Sequence, residues 1–171
     1  LIAAVVDGLG HGEEAALAAR AAAAELIAQV PEASLLEQVE RCHAALRTTR
    51  GVVMALASID VTDNTISWLG VGNTMGILLR GAFMEGIRDE TLLQRAGLVG
   101  RQLPPLREEV LPIFPGDLVG LATDGIHPRF MESIRRDEAS QSIADGILAS
   151  QYEGRDDAAV VVVRYLGRRI G

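Results

Sequence analysis

The chain has 171 residues, 49% of them hydrophobic and 23% charged, which supplies a sizeable core for one domain and rules out a disordered polymer. A formal charge of −7 with no cluster of basic residues argues against nucleic acid as the main partner. No apolar run reaches membrane-spanning length, and the single cysteine, Cys42, excludes an internal disulfide or a cysteine-built zinc site and suits a reducing cytoplasm.

Residues 1–6 form a continuous apolar run that stops at Asp7-Gly8. Such a run predicts a strand covered on both faces and so interior to the sheet system. The strand is already in progress at Leu1, so a short native segment upstream is expected, with a further strand beside it. Residues 13–30 are alanine-rich, and Glu13 and Glu14 sit where a helix N-terminus favours acids. Pro31 is expected to stop this helix. Ser34-Leu35-Leu36-Glu37 matches a capping box, and Leu35, Val39, Cys42 and Leu46 follow on one face of a second helix.

After Gly51 the period changes. Residues 52–61 and 65–71 predict a hairpin around Thr62-Asp63-Asn64, followed by a strand at 75–79. Residues 82–106, with Gly97, Gly100, Pro104 and Pro105, predict loops around short strands. A strand at 110–114, a turn at Pro115-Gly116-Asp117 and a buried strand at 118–123 lead to Asp124-Gly125. Helical stretches are expected within 128–137 and 138–151, and a last strand at 158–165. Strand, two helices, a meander, two helices and a strand is not the alternation of a doubly wound sheet. The expected fold is α+β: two mainly antiparallel sheets flanked by helix pairs, in one domain spanning 1–171.

Asp7, Asp124 and Asp156 share a context, since each lies where a hydrophobic strand meets a turn. Gly8 and Gly125 follow two of them and let the chain turn sharply enough for a carbonyl to face a ligand as well. Carboxylates and carbonyls are the donors that hard divalent cations select. Two such cations neutralise phosphate and activate water, whereas three carboxylates alone would repel a phosphate ester. The run Asp7-Gly8-Leu9-Gly10-His11-Gly12 before a helix is similar to a phosphate-cradling loop. It matches neither the dinucleotide fingerprint nor the nucleotide-binding loop that ends in Gly-Lys-Ser/Thr.

Three segments occur in a fixed order: Asp-Gly-Leu-Gly-His-Gly at 7–12, Ala-Thr-Asp-Gly-Ile at 122–126 and Arg-Asp-Asp-Ala at 155–158. Together with Val-Gly-Asn at 71–73, Leu-Pro-Pro-Leu at 103–106 and Pro-Gly-Asp-Leu at 115–118, they resemble the SpoIIE-type phosphatases, the bacterial branch of the protein phosphatase type 2C superfamily. Within that branch the RsbX-like phosphatases of stressosome modules are the most similar. The resemblance implies a type 2C-like αββα sandwich and two Mn2+ or Mg2+ ions. Asp7 would bridge both ions, the Gly8 carbonyl would bind the second, and Asp124 and Asp156 would complete the shell of the first. It also implies direct attack of a metal-bridging water on phosphoserine or phosphothreonine of a phosphorylated STAS-domain protein, in the cytoplasm, with no nucleic acid or membrane involved. An RsbU-like or SpoIIE-like target (a phosphorylated anti-anti-sigma factor) differs in partner and not in chemistry. A non-catalytic pseudophosphatase is the rival from another class, and a small-molecule phosphohydrolase would need a deep specific pocket.

Two features depart from the family pattern. Its additional acid belongs to a strand upstream of the Asp-Gly motif, before the first residue of this sequence, so either that strand precedes Leu1 in the native chain or the second metal is weakly held. Leu9 stands where eukaryotic members place a histidine, which leaves His11 as either a proton donor or phosphate contact, or a helix-capping or solvated residue. Arg155 is a candidate phosphate contact, and Asp157 a second choice of ligand beside Asp156. Cys42 and Trp68 are expected in the core, His43 at its boundary, His127 at a helix start, and Asp117 in support of its turn.

Overall fold

The computed structural model describes residues 1–28, 33–81, 86–152, 154 and 157–168. The expectations for Val30, Pro31, Arg155 and Asp156 lie outside these residues.

β1 (Ile2–Gly8), β2 (Val52–Asp60) and β3 (Thr65–Val71) form an antiparallel meander. The far edge of β3 is shared end to end by two short strands. β6 (Gln94–Arg95) pairs parallel with Gly70 and Val71, and β7 (Glu109–Pro112) pairs antiparallel with residues 65–68. The second sheet is antiparallel throughout, in the order β5 (Glu90–Thr91), β4 (Met75–Leu79), β8 (Leu118–Ala122), β9 (Val160–Arg164).

Three apolar layers explain why the strands are hydrophobic on both faces. Val52, Met54 and Leu56 of β2 face α1 (Glu13–Ile27) and α2 (Leu35–Ala45), where Ala18, Ala22, Val39 and Cys42 are buried. The alternate residues Ala55, Ala57 and Ile59 meet Val119 and Leu121 of the other sheet. The outer face of the second sheet, with Ile77, Leu79 and Leu118, packs under Phe130, Ile143 and Ile147. The alanines of α1 allow the helix to lie close to β1 and α2. Ser34 begins α2 with both arms of its capping box: the Glu37 amide donates to Ser34 Oγ, and the Ser34 amide donates to Glu37 Oε2.

Two expectations gain detail. β1 is covered on both faces, with Ala3 and Val5 turned to the second sheet and Ala4 and Val6 to the helices. Its hydrogen-bonded neighbour among the described residues is β2. An unbroken apolar run reports coverage of a strand's faces and carries no information about its hydrogen-bonding edges. The second helix pair is a 12-residue α-helix, α3 (Ser140–Gln151), preceded by a 3-10 helix at Pro128–Ser133. Pro128 starts this short piece, the His127 ring accepts the Arg129 amide at 3.1 Å, and Ile134 is already extended.

Candidate metal centre

Asp7 lies within β1 and not beyond its end, paired in register with Val53 of β2, and Gly8 is paired with Val52. The ladder therefore fixes the backbone on which the half-buried Asp7 carboxylate stands. Gly8 is required by its neighbour: a Cβ there would stand 2.1 Å from the carbonyl oxygen of Ala15 in the first turn of α1. Gly10 and Gly12 then take φ of +82° and +85°, the left-handed region where a side chain is disfavoured. This lets the chain swing from β1 into α1 over four residues. Leu9 donates its amide to the carbonyl of Gly51 at 3.0 Å, fastening the loop to the start of β2. His11 is exposed on the loop.

Asp124 stands one residue beyond Thr123 at the end of β8. Thr123 is stitched to the approach to β9: its amide donates to the Ala159 carbonyl at 3.0 Å, and its hydroxyl accepts the Ala159 amide at 2.9 Å. A Cβ on Gly125 would stand 2.4 Å from the Asp157 carbonyl oxygen. The segment entering β9 thus lies directly on the Asp124-Gly125 turn, with Asp157 exposed beside it.

The link between the two carboxylate-bearing strand ends is the loop from β3 to β4. Gly72 lies against Val53, the ladder partner of Asp7; a Cβ on Gly72 would be 2.2 Å from Val53 Cγ1. The next residue, Asn73, donates its side-chain amide to Asp124 Oδ2 in a short hydrogen bond. Met75, at the start of β4, pairs with Ala122 at the end of β8, and Ala122 pairs with Val160 at the start of β9. Asp7, Asn73, Asp124 and Asp157 therefore share one rim of the sandwich. Next to it is an open concavity of about 560 Å³, lined in part by Leu9, Val53, Gly72 and Asn73.

Among the described residues no three carboxylate, histidine or cysteine side chains are gathered closely enough to hold a metal ion. The donors expected from sequence that fall on described residues, the Asp7 and Asp124 carboxylates and the Gly8 carbonyl, are all oxygen, and Gly8 has no room for a side chain. That set fits a hard divalent cation and not a thiolate-seeking one. Sequence reasoning passed over Asn73 as a site residue, although Val-Gly-Asn at 71–73 was one of the segments that carried the family resemblance. Replacing Asn73 by Ala leaves Asp124 without the donor that orients it. A ten- to hundred-fold loss in metal affinity or turnover is expected, the range typical for residues that orient a ligand. A manganese titration of p-nitrophenyl phosphate hydrolysis measures it.

The residues set aside on sequence grounds lie elsewhere or serve the fold. Cys42 is fully buried, and burial pushes its thiol up to about 11, which keeps it protonated and unreactive. His43 accepts the Gly100 amide at 3.0 Å through Nδ1. Trp68 is fully buried and donates to Glu109 at 2.9 Å. Asp117 accepts from Phe114 N, Gly81 N and Arg80 Nη1 at the opposite rim.

The family model for stage II sporulation protein E, SpoIIE, matches residues 1–166. The chain belongs to the SpoIIE family. Its members are metal-dependent protein serine/threonine phosphatases of type 2C, and the two-sheet sandwich is their fold. One similar solved structure comes from work on the bacterial stressosome as a modular system adapted to control secondary messenger signalling. It is 31% identical, with 95% of this chain and 84% of that one covered and a TM-score of 0.83. RsbX in complex with magnesium is 21% identical over 94% of this chain and 79% of its own, with a TM-score of 0.79. The phosphatase domain of SpoIIE from Bacillus subtilis is 23% identical over 98% of this chain and 55% of the solved one, also with a TM-score of 0.79. No curated protein sequence matches the chain significantly. Among the described residues no helix is long and apolar enough to cross a membrane.

Proposed function

We propose that this SpoIIE-family domain, residues 1–171, removes phosphate from serine or threonine of a phosphorylated STAS-domain regulator of the stressosome type, in the cytoplasm. Two Mn2+ or Mg2+ ions would be held by Asp7, the Gly8 carbonyl, Asp124 and Asp156. The observation that carries the reading is the meeting of the Asp7 strand end, the Asn73–Asp124 hydrogen bond and the segment entering β9 at one rim. The 31% identity to a protein studied in the stressosome supports the choice of substrate class.

When bound, the ions supply positive charge at the phosphoryl group and an acidified water for in-line displacement without a phosphoenzyme. The residues themselves hold and orient. β1 and its ladder with β2 set Asp7, Asn73 fixes one oxygen of Asp124, and the Ala15 contact keeps the Gly8 backbone against α1. No cysteine or serine–histidine pair stands at the rim among the described residues.

The test is dephosphorylation of phosphorylated STAS proteins, with phosphorylated anti-anti-sigma factors in parallel and with or without manganese. Release of phosphate from the STAS protein supports the reading, and release only from the anti-anti-sigma factor reassigns the partner. Excess EDTA is expected to abolish hydrolysis of p-nitrophenyl phosphate as well, and added manganese to restore it. Full activity in EDTA would remove the metal centre from the mechanism, and silence under all conditions would favour a binding module.

A further inference from the structure

The wall beside Asp7 is made of three loops fastened to one another. Leu9 donates to Gly51, as above. Gly51 packs so closely on the 97–102 loop that a Cβ would lie 2.7 Å from the Val99 carbonyl, and Val52 and Val99 exchange amide–carbonyl bonds of 2.9 Å. Two arginines are mounted on this wall. Arg50 places Nη1 3.2 Å from where a Gly10 Cβ would be, over the loop that follows Asp7. Its Nε is paired with Glu14 in the first turn of α1 at 2.5 Å, which ties the guanidinium to the start of that helix. Arg101 lines the same cleft of about 360 Å³, together with Leu17, Thr48 and Thr49. Both arginines are exposed.

The placement runs against the composition. The chain carries −7 overall, so away from the metal ions an acidic substrate segment is repelled by most of this surface. All 16 basic residues are arginines, whose planar fork matches a carboxylate better than an ammonium does. We propose that Arg50 and Arg101 form a specificity subsite for carboxylates flanking the phosphorylated residue, so that acidic-flanked phosphosites are preferred. The inference rests on the phosphatase reading above and adds the local chemistry of its substrate. Glu14 occupies Arg50 Nε and leaves the terminal nitrogens of the guanidinium for the substrate.

The experiment uses the full chain with manganese and three substrates: p-nitrophenyl phosphate and two phosphoserine peptides that differ only in flanking Asp or flanking Asn. An exposed pair adds up to about fivefold each, so wild type is expected to prefer the Asp peptide roughly tenfold in kcat/KM at low salt. The preference should fade in 0.5 M salt as the charges are screened. Arg101→Glu should bring the ratio to about one or below, and Arg101→Gln to an intermediate value. The ratio is taken within one preparation, so the folded fraction cancels. A wild-type ratio near one, or an unchanged ratio in Arg101→Glu, overturns the inference while p-nitrophenyl phosphate turnover leaves the phosphatase reading standing. Absence of manganese-dependent p-nitrophenyl phosphate turnover overturns both.

Discussion

Asp7→Asn is expected to lower kcat for p-nitrophenyl phosphate about a thousandfold or more while leaving the melting temperature within a few degrees of wild type. In the proposed centre Asp7 serves both cations, so one neutral amide weakens two sites at once. Charge stabilisation of several kcal/mol is at stake, and each 1.4 kcal/mol is tenfold in rate. The fold should not suffer, because Asp7 sits in a strand whose ladder is made by backbone groups alone. Asp124→Asn should be less damaging, since that carboxylate is assigned to one cation and its amide replacement still accepts the Asn73 hydrogen bond through its oxygen. Apparent manganese affinity and kcat, measured on the same preparations with a thermal melt, separate the cases. An Asp7→Asn enzyme retaining more than a tenth of wild-type turnover would take Asp7 out of the centre.

The sequence carried those parts of this structure that have a period or a local signature. The apolar face of α2 and its Ser34–Glu37 capping box appear as read. So does the hairpin of β2 and β3, whose turn holds Asn64 at φ +52° and is closed by Asp60 accepting the Thr62 amide. The strand ends bearing Asp7 and Asp124 were visible because a hydrophobic run stops at Asp-Gly in each. What was not legible depends on contacts between distant segments. β5 and β6 have two residues each, too few for any alternation to show. They exist because Ile77 and Leu78 of β4, and Gly70 and Val71 of β3, offer them edges. Asn73 is a residue between two strands until the second sheet brings Asp124 to it across 51 positions of sequence.

Arg80 and Asp117 show how far that limit reaches, and they lead to the largest expected effect on stability. From sequence, Arg80 closes a strand and Asp117 belongs to a turn. In the fold they form an ion pair at 2.9 Å with side chains only 4% and 0% exposed. The pair sits at the rim opposite the candidate metal centre, where Leu79 meets Leu118. Both partners make further hydrogen bonds. Asp117 accepts the Gly81 and Phe114 amides, Arg80 donates to the Pro112 and Arg88 carbonyls, and its guanidinium lies 5.8 Å from the centre of the Phe114 ring. Asp89 accepts the Arg80 amide and is paired with Arg136, which extends the network to the surface. Asp117→Ala leaves a buried guanidinium without its counter-charge and two backbone amides without an acceptor. Breaking one side of such a pair costs about 3–5 kcal/mol, a fall in Tm of roughly 6–20 °C for a domain of this size. The double replacement Arg80→Met with Asp117→Leu should lose less than Asp117→Ala alone, because no uncompensated charge is left in the interior. Denaturant unfolding of the three proteins decides between this account and a purely steric one, in which the double variant would be the worst. Turnover per folded molecule should be unchanged in Asp117→Ala, since the whole length of β4 and β8 separates the pair from Asp124.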